Sequence, residues 1–179
     1  MTTEEARMFM ASEYQGDPLD TAPLDVLAAV DAGELSIDDA ARWHGVVIVG
    51  SAVDASATAV LRERIRDERK SWSRTPGAHC IRVALPRNTV QIGDHLVLAR
   101  GLDSAVYACD CGTVLAPADR DWKPQACQAE LTAEDLGAKV RLHPGLRADA
   151  YACPGCGALL AVDVRARDDE PLREFELAR

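Results

Sequence analysis

The sequence predicts an α+β protein, with a helical amino-terminal half followed by a small antiparallel β region built around four cysteines. Three observations predict it. Helix start and stop residues recur as far as about residue 72, short apolar runs alternate with turn residues from about residue 80, and a cysteine-bearing unit occurs twice. The organisation that follows is a flexible extension over 1–20, a helical region over 21–78, a β-rich metal-binding domain over 79–165 and a polar tail over 166–179.

The first twenty residues show no sustained hydrophobic period, which is why they read as an extension. Thr21 can then cap a helix with Pro23 in its first turn and Leu24, Leu27 and Ala28 on one face, ended by Gly33 in a left-handed conformation. Ser36 with Asp39 resembles a capping box opening a second helix through Ala40, Ala41 and Trp43. GVVIVGS at 45–51 is a β-branched run between glycines and reads as an apolar core segment. It lacks the further glycines that a dinucleotide-binding turn needs to bring backbone against a pyrophosphate. A long helix closes this half, from about Asp54 to Trp72.

Beyond residue 80 the runs CIRVALP, HLVLARG, SAVYAC and ALLAVDV read as strands, with turns at Asn88, Gly93 and Gly101–Asp103. Phe, Trp and Tyr make up only 4% of 179 residues while 47% are hydrophobic, so the core must be built mainly from Ala, Val and Leu. Small domains poor in large apolar side chains commonly depend on a metal, a disulfide or a partner.

The net charge of −9 excludes nucleic acid as the expected partner, because phosphate binding rests on concentrated Lys and Arg. The one basic cluster, LRERIRDERKSWSR, is interleaved with Glu63, Asp67 and Glu68. It reads as a solvated or interface helix face with Glu63–Arg66 and Arg64–Glu68 at helical pair spacing. There is no apolar stretch of membrane-spanning length and the start is acidic, so the expected location is cytoplasmic. In that reducing compartment closely paired cysteines point to metal ligation or redox chemistry ahead of structural disulfides.

The most specific feature is the repeat, in which Tyr107-Ala-Cys-Asp-Cys-Gly-Thr-Val-Leu-Ala returns as Tyr151-Ala-Cys-Pro-Gly-Cys-Gly-Ala-Leu-Leu-Ala. Each unit reads as a strand delivering a cysteine, a tight turn, a second cysteine, a glycine and a departing strand. Glycine suits that place because positive φ is cheap there and lets backbone N–H groups turn toward sulfur. Two such knuckles face to face give a zinc-ribbon-like site of four cysteines, Cys109, Cys111, Cys153 and Cys156, holding one structural Zn2+ with no position left for water. Iron in a rubredoxin-like site and a redox dithiol are the alternatives. Cys-x-Cys in the first unit is tighter than the usual Cys-x2-Cys.

Cys80 and Cys127 have no close partner in the sequence and read as small core residues, and His143 is a weaker candidate ligand. No nucleophile with a base stands out among His44, His79, His95 and His143, so no catalytic residue is expected. Between the knuckles lies Asp119-Arg-Asp-Trp-Lys. Its Trp122 and Lys123 read as interface residues, since alternating charges beside a tryptophan suit a turn packed on a neighbour.

In Cys109-Asp-Cys-Gly, Asp119-Arg-Asp-Trp-Lys and Cys153-Pro-Gly-Cys-Gly, in that order, the chain resembles the small zinc-containing subunit of acetone carboxylase and acetophenone carboxylase. LDVLAAVDAGELSIDDAARW and RVALPRNTVQIGDHLVL are similar to that subunit's early helical stretch and following strands, so the resemblance covers about residues 24–165. It implies a cytoplasmic hetero-oligomer in which large hydantoinase-like or oxoprolinase-like subunits use ATP and a divalent metal to activate a ketone and bicarbonate. This chain would then supply zinc-dependent assembly and no catalysis. Trp122 and Lys123 would be characteristic residues of unassigned role. A free-standing zinc-ribbon interaction module and the small subunit of a related hydantoinase- or oxoprolinase-like complex are the competing expectations.

Overall fold

The computed structural model describes residues 16–75, 81–100, 104–137 and 140–171. The expectations for residues 1–15, for His79 and Cys80, for the turn at 101–103 and for the end of the polar tail lie outside these. Asp17 opens the described fold by accepting the Leu19 N–H at the head of a short 3-10 turn, Pro18–Asp20. Leu19 and Asp17 are buried, so the segment from Asp17 to Asp20 belongs to the folded body and the extension reading does not reach it.

Helix α1, Pro23–Asp31, starts at a proline, whose missing N–H costs nothing in a first turn. Its N-cap is Ala22 and not Thr21, because Thr21 is already committed to closing the preceding turn. Helix α2, Ile37–His44, is capped as expected by the Ser36 hydroxyl, which accepts the Asp39 N–H (3.0 Å), and it stops at Gly45 with φ 60°. The β-branched run that follows forms neither a helix nor a long strand. Strands β1, Ile48–Val49, and β2, Ala52–Val53, make a small hairpin that buries Val46 against Val26 and Ala40. Asp54 caps helix α3, Ala55–Lys70, by accepting the Ala57 N–H. The amino-terminal part is therefore mixed, with three α-helices and a hairpin among its described residues.

Eight further strands follow. Strands β3 (Ile81–Arg82), β4 (Val90–Gln91), β5 (Leu96–Ala99), β6 (Val106–Cys109) and β7 (Thr113–Pro117) form an antiparallel sheet in the order β3-β7-β6-β5-β4. After β8 (Cys127–Leu131) comes the short helix α4 (Ala133–Leu136), held by a capping box between Thr132 and Asp135. Strands β9 (Leu146–Ala152) and β10 (Leu159–Ala166) complete a second antiparallel sheet, ordered β10-β9-β8. Most of β9 carries Ala alternating with Arg, Asp and Tyr, and β8 is the mixed run Cys-Gln-Ala-Glu-Leu; neither has the β-branched run that marks a strand, so the sequence alone does not reveal them. The main core draws from both sheets: Leu96, Leu98, Tyr107, Leu115, Trp122, Tyr151 and Leu160.

Helix α3 lies directly against the second knuckle. A Cβ on Gly157, whose φ is +75°, would overlap the backbone carbonyl of Arg66, whereas Gly33, with φ +74°, has open space around it. At either position an L side chain would carry the strain of a left-handed residue, about 1–2 kcal/mol. Gly157→Ala should therefore destabilise the chain well beyond Gly33→Ala, and the difference between their urea midpoints measures how tightly helix and knuckle are pressed together.

Candidate metal centre

The two copies of the sequence repeat are two copies of one structure. β6 delivers Cys109 into a turn closed by the Gly112 N–H on the Cys109 carbonyl (2.8 Å), and β9 runs into Cys153, whose carbonyl takes the Gly157 N–H (2.8 Å). Gly112 (φ +91°) and Gly157 (φ +75°) both hold the positive φ expected of them. Each pair of strands also shifts register next to its knuckle, between Tyr107 and Ala108 in the β6–β7 pair and between Leu159 and Ala161 in the β10–β9 pair. The residues that the shifts leave out of the ladder, Leu115 and Leu160, occupy equivalent places in the repeat, and both turn into the core.

The knuckles meet so that all four Sγ atoms lie within 4.8 Å of one another. Across the interface, Cys109 Sγ is 3.6 Å from Cys156 Sγ, and Cys111 Sγ is 3.7 Å from Cys153 Sγ. A tetrahedron of sulfurs around zinc at about 2.3 Å has edges of about 3.8 Å, so this cage fits one such ion. Cys109 and Cys153 are buried, and Cys111 and Cys156 are half-buried. The Gly155 N–H points at Cys153 Sγ (3.3 Å) and the Thr113 hydroxyl lies 3.1 Å from Cys111 Sγ. Four sulfurs so close cannot all ionise without a cation. Hydrogen bonding to Cys153 and Cys156, together with burial, holds the Cys109 thiol far above its ordinary range. Cys153 is driven down, to about 4, by hydrogen bonds from Cys109 and Cys156 and from the N–H groups of Cys156 and Gly155. A divalent cation removes this conflict, and four thiolates close its coordination shell.

Two chains of hydrogen bonds run outward from the cage and both end on the Asp17–Asp20 segment. At the second knuckle, Asp17 Oδ2 accepts the Leu159 N–H (2.9 Å) and an Arg69 Nη1–H (2.7 Å), and the same Arg69 nitrogen lies 3.4 Å from the Gly157 carbonyl. Burial raises the Asp17 carboxyl, but Arg69 and the two backbone donors outweigh it and leave the group below the usual carboxylate range. At the first knuckle, His95 stands between Asp110 (Nδ1, 2.7 Å) and Asp20 (Nε2, 2.6 Å), and Arg66 donates to Asp20 (3.0 Å). Burial lowers His95, yet the two carboxylates prevail and raise it; only the imidazolium can donate from both nitrogens. The basic stripe on α3 is solvated only in part: Glu63, Arg64, Asp67 and Glu68 are exposed, while Arg66 and Arg69 reach back to Asp20 and Asp17.

The remaining sequence candidates fall elsewhere. The cluster of four includes neither His143, whose Nδ1 accepts the Gly145 N–H, nor Cys127, which lies buried against the Lys70 carbonyl. Trp122 and Lys123, read as interface residues, are each only 3% exposed and offer no surface to a partner. Trp122 packs edge-on to Tyr151 at 5.8 Å, and Lys123 Nζ sits between both carboxylate oxygens of the equally buried Asp163 (2.7 and 2.9 Å). The tryptophan fills core because its ring matches the gap between the sheets, and the lysine is admitted because a buried carboxylate needs it. A scan against protein-family models and a search of curated proteins both found no match for the chain. Sequence reasoning missed Asp17, Asp20, His95, Thr113, Arg66 and Arg69 around the cage, and Asp163 opposite Lys123; no local motif marks any of them.

Two outcomes follow. Cys156→Ser should retain less than about half an equivalent of metal after dialysis against EDTA, because three thiolates leave the shell open; elemental analysis reads it. Lys123→Met should cost about 3–5 kcal/mol by stranding Asp163, and adding Asp163→Leu should recover much of that loss in the same denaturation experiment.

Proposed function

We propose that the cage holds one structural zinc ion and that the chain is a non-catalytic assembly subunit of an ATP-dependent ketone carboxylase of the acetone and acetophenone type. The observation that carries the first part is the closed set of four thiolates, with separations that suit a tetrahedral ion and leave no place for substrate or water on the metal. The ordered motifs Cys109-Asp-Cys-Gly, Asp119-Arg-Asp-Trp-Lys and Cys153-Pro-Gly-Cys-Gly support the second part. In this reading ATP and a divalent metal belong to large hydantoinase-like or oxoprolinase-like partners, in the cytoplasm. None of the chain's described helices is long and apolar enough to cross a membrane, which agrees with that setting. The contribution of Trp122 and Lys123 is to stabilise the subunit from within, and the partner is met elsewhere on its surface.

The decisive experiment is purification of the tagged chain from its own cells. Two large subunits should accompany it, with close to one zinc per chain and no stoichiometric iron, and ketone-dependent ATP turnover should belong to the complex and not to the isolated chain. Zinc with no large partner would leave a free-standing interaction module. One iron per chain would replace the structural reading with an electron-transfer one.

A further inference from the structure

We propose that the short turn from Asp17 to Asp20 is a strap that locks the metal into its cage, with Asp17 and Asp20 as positioning residues for the two knuckles. The inference rests on the reading that the cage holds a metal. Its basis is a juxtaposition: one segment of four residues reaches both halves of a site whose ligands begin only at Cys109, far along the chain. Asp17 holds the exit strand of the second knuckle through the Leu159 N–H, and Asp20 holds the turn of the first through His95 and Asp110. Both aspartates are anchored in turn on one helix, at Arg69 and Arg66 of α3.

Parting the knuckles opens the cage, because the four sulfurs come two from each. Parting them by rigid motion must break the Asp17 connection, the Asp20 connection or both, since each ties its knuckle to the same helix. Asp17 is buried and accepts three hydrogen bonds, from Leu19, Arg69 and Leu159, so its connection is stiff. The Asp20 connection is longer and half-exposed, and it has a second duty. Asp110 Oδ1 lies 3.3 Å from Cys109 Sγ, a repulsive approach once that sulfur is a thiolate, and His95 and Asp20 hold the carboxylate in place against it. Leu19, between the two aspartates, is buried and keeps the turn seated.

The test is the rate of zinc transfer from the full-length holoprotein to a colorimetric chelator at neutral pH. Asp17→Asn and Asp20→Asn keep side-chain size and remove the charge; each should release zinc about tenfold faster or more, as loss of an outer partner of a metal ligand commonly does. Cobalt-loaded samples should keep the absorption of a tetrahedral four-thiolate site, since no ligand has changed. Val26→Ala, in the separate core under α1, is the destabilised control. It should lower the melting temperature comparably while leaving the release rate within about twofold of the parent. Strap variants that release zinc at the parental rate would overturn the proposal, as would equal acceleration by Val26→Ala at matched melting temperature. Either result would leave the structural-zinc reading standing, whereas a parent chain that binds no metal at all would remove both.

Discussion

Four sulfurs within 4.8 Å of one another are the constraint around which the other features are arranged. Each pair sits where two antiparallel strands join, one pair in the five-stranded sheet and one in the three-stranded sheet. No backbone ladder between these two sheets is present among the described residues. Side chains pack between them, and the knuckles bring backbone turns of the two sheets to a common point. Charge gathers there as a consequence. With a divalent cation bound, four thiolates would leave two net negative charges, and Asp110 would add a carboxylate beside them. The neighbouring His95, Arg66 and Arg69 supply the compensating side, and the acidic Asp17 and Asp20 distribute it between the knuckles. Such an outer layer fixes ligand orientation as much as the ligands do.

The three-stranded sheet shows how a chain with few aromatics builds a body around such a site. Register places Glu130, Asp149 and Asp163 side by side across β8, β9 and β10, with Arg147 and Arg165 opposite each other two pairs further on. Asp149 is completely buried and is held by Arg147, Arg165 and Gln128. Burial raises its carboxyl, and those partners bring it back below its ordinary value. On the opposite side Ala148, Ala150 and Ala152 are all buried, so small side chains let neighbouring elements approach closely. The sheet thus buries compensated charge beside Tyr151 on one side and only small side chains on the other. That choice gives specificity at some risk, because each buried ion is costly once its partner is removed.

What could be read from the chain beforehand was what depends on neighbours in sequence. The cysteine pairs, the glycines with positive φ after them, the Ser36 cap and the span of α3 all follow from residues within a few positions of one another. Thr21 misled because a better local use for it, closing the Pro18–Asp20 turn, could not be weighed without knowing that the turn existed. Trp122 and Lys123 misled for a different reason. A tryptophan beside charges looks the same in sequence whether it faces a partner or a core, and the deciding residue, Asp163, is forty positions away. The strap was illegible on the same ground: Asp17 meets Arg69 across 52 positions and Leu159 across 142, and Asp20 meets His95 across 75. Nothing in a single sequence couples such residues.

The unequal length of the two knuckles, an oddity in the sequence, has a physical resolution. The longer turn, Cys153-Pro-Gly-Cys, has one residue more, and that residue supplies an N–H: Gly155 donates to Cys153 Sγ. In Cys-x-Cys the N–H two residues on belongs to the ligand Cys111 itself, and it is bonded to Cys109 Sγ. The repeat also differs at the position after the glycine, where Ala158 in the second unit corresponds to Thr113 in the first, and the Thr113 hydroxyl lies against Cys111 Sγ. In the short turn a side-chain hydroxyl thus serves the second sulfur, beside the backbone N–H that serves the first. The two adjustments also interlock in space, since a Cβ on Gly155 would overlap Thr113 Oγ1. Glycine in the long turn makes room for the threonine that the short turn requires. The asymmetry of the repeat is therefore a matched pair of substitutions, one in each unit, that lets two unequal loops present four sulfurs to one centre.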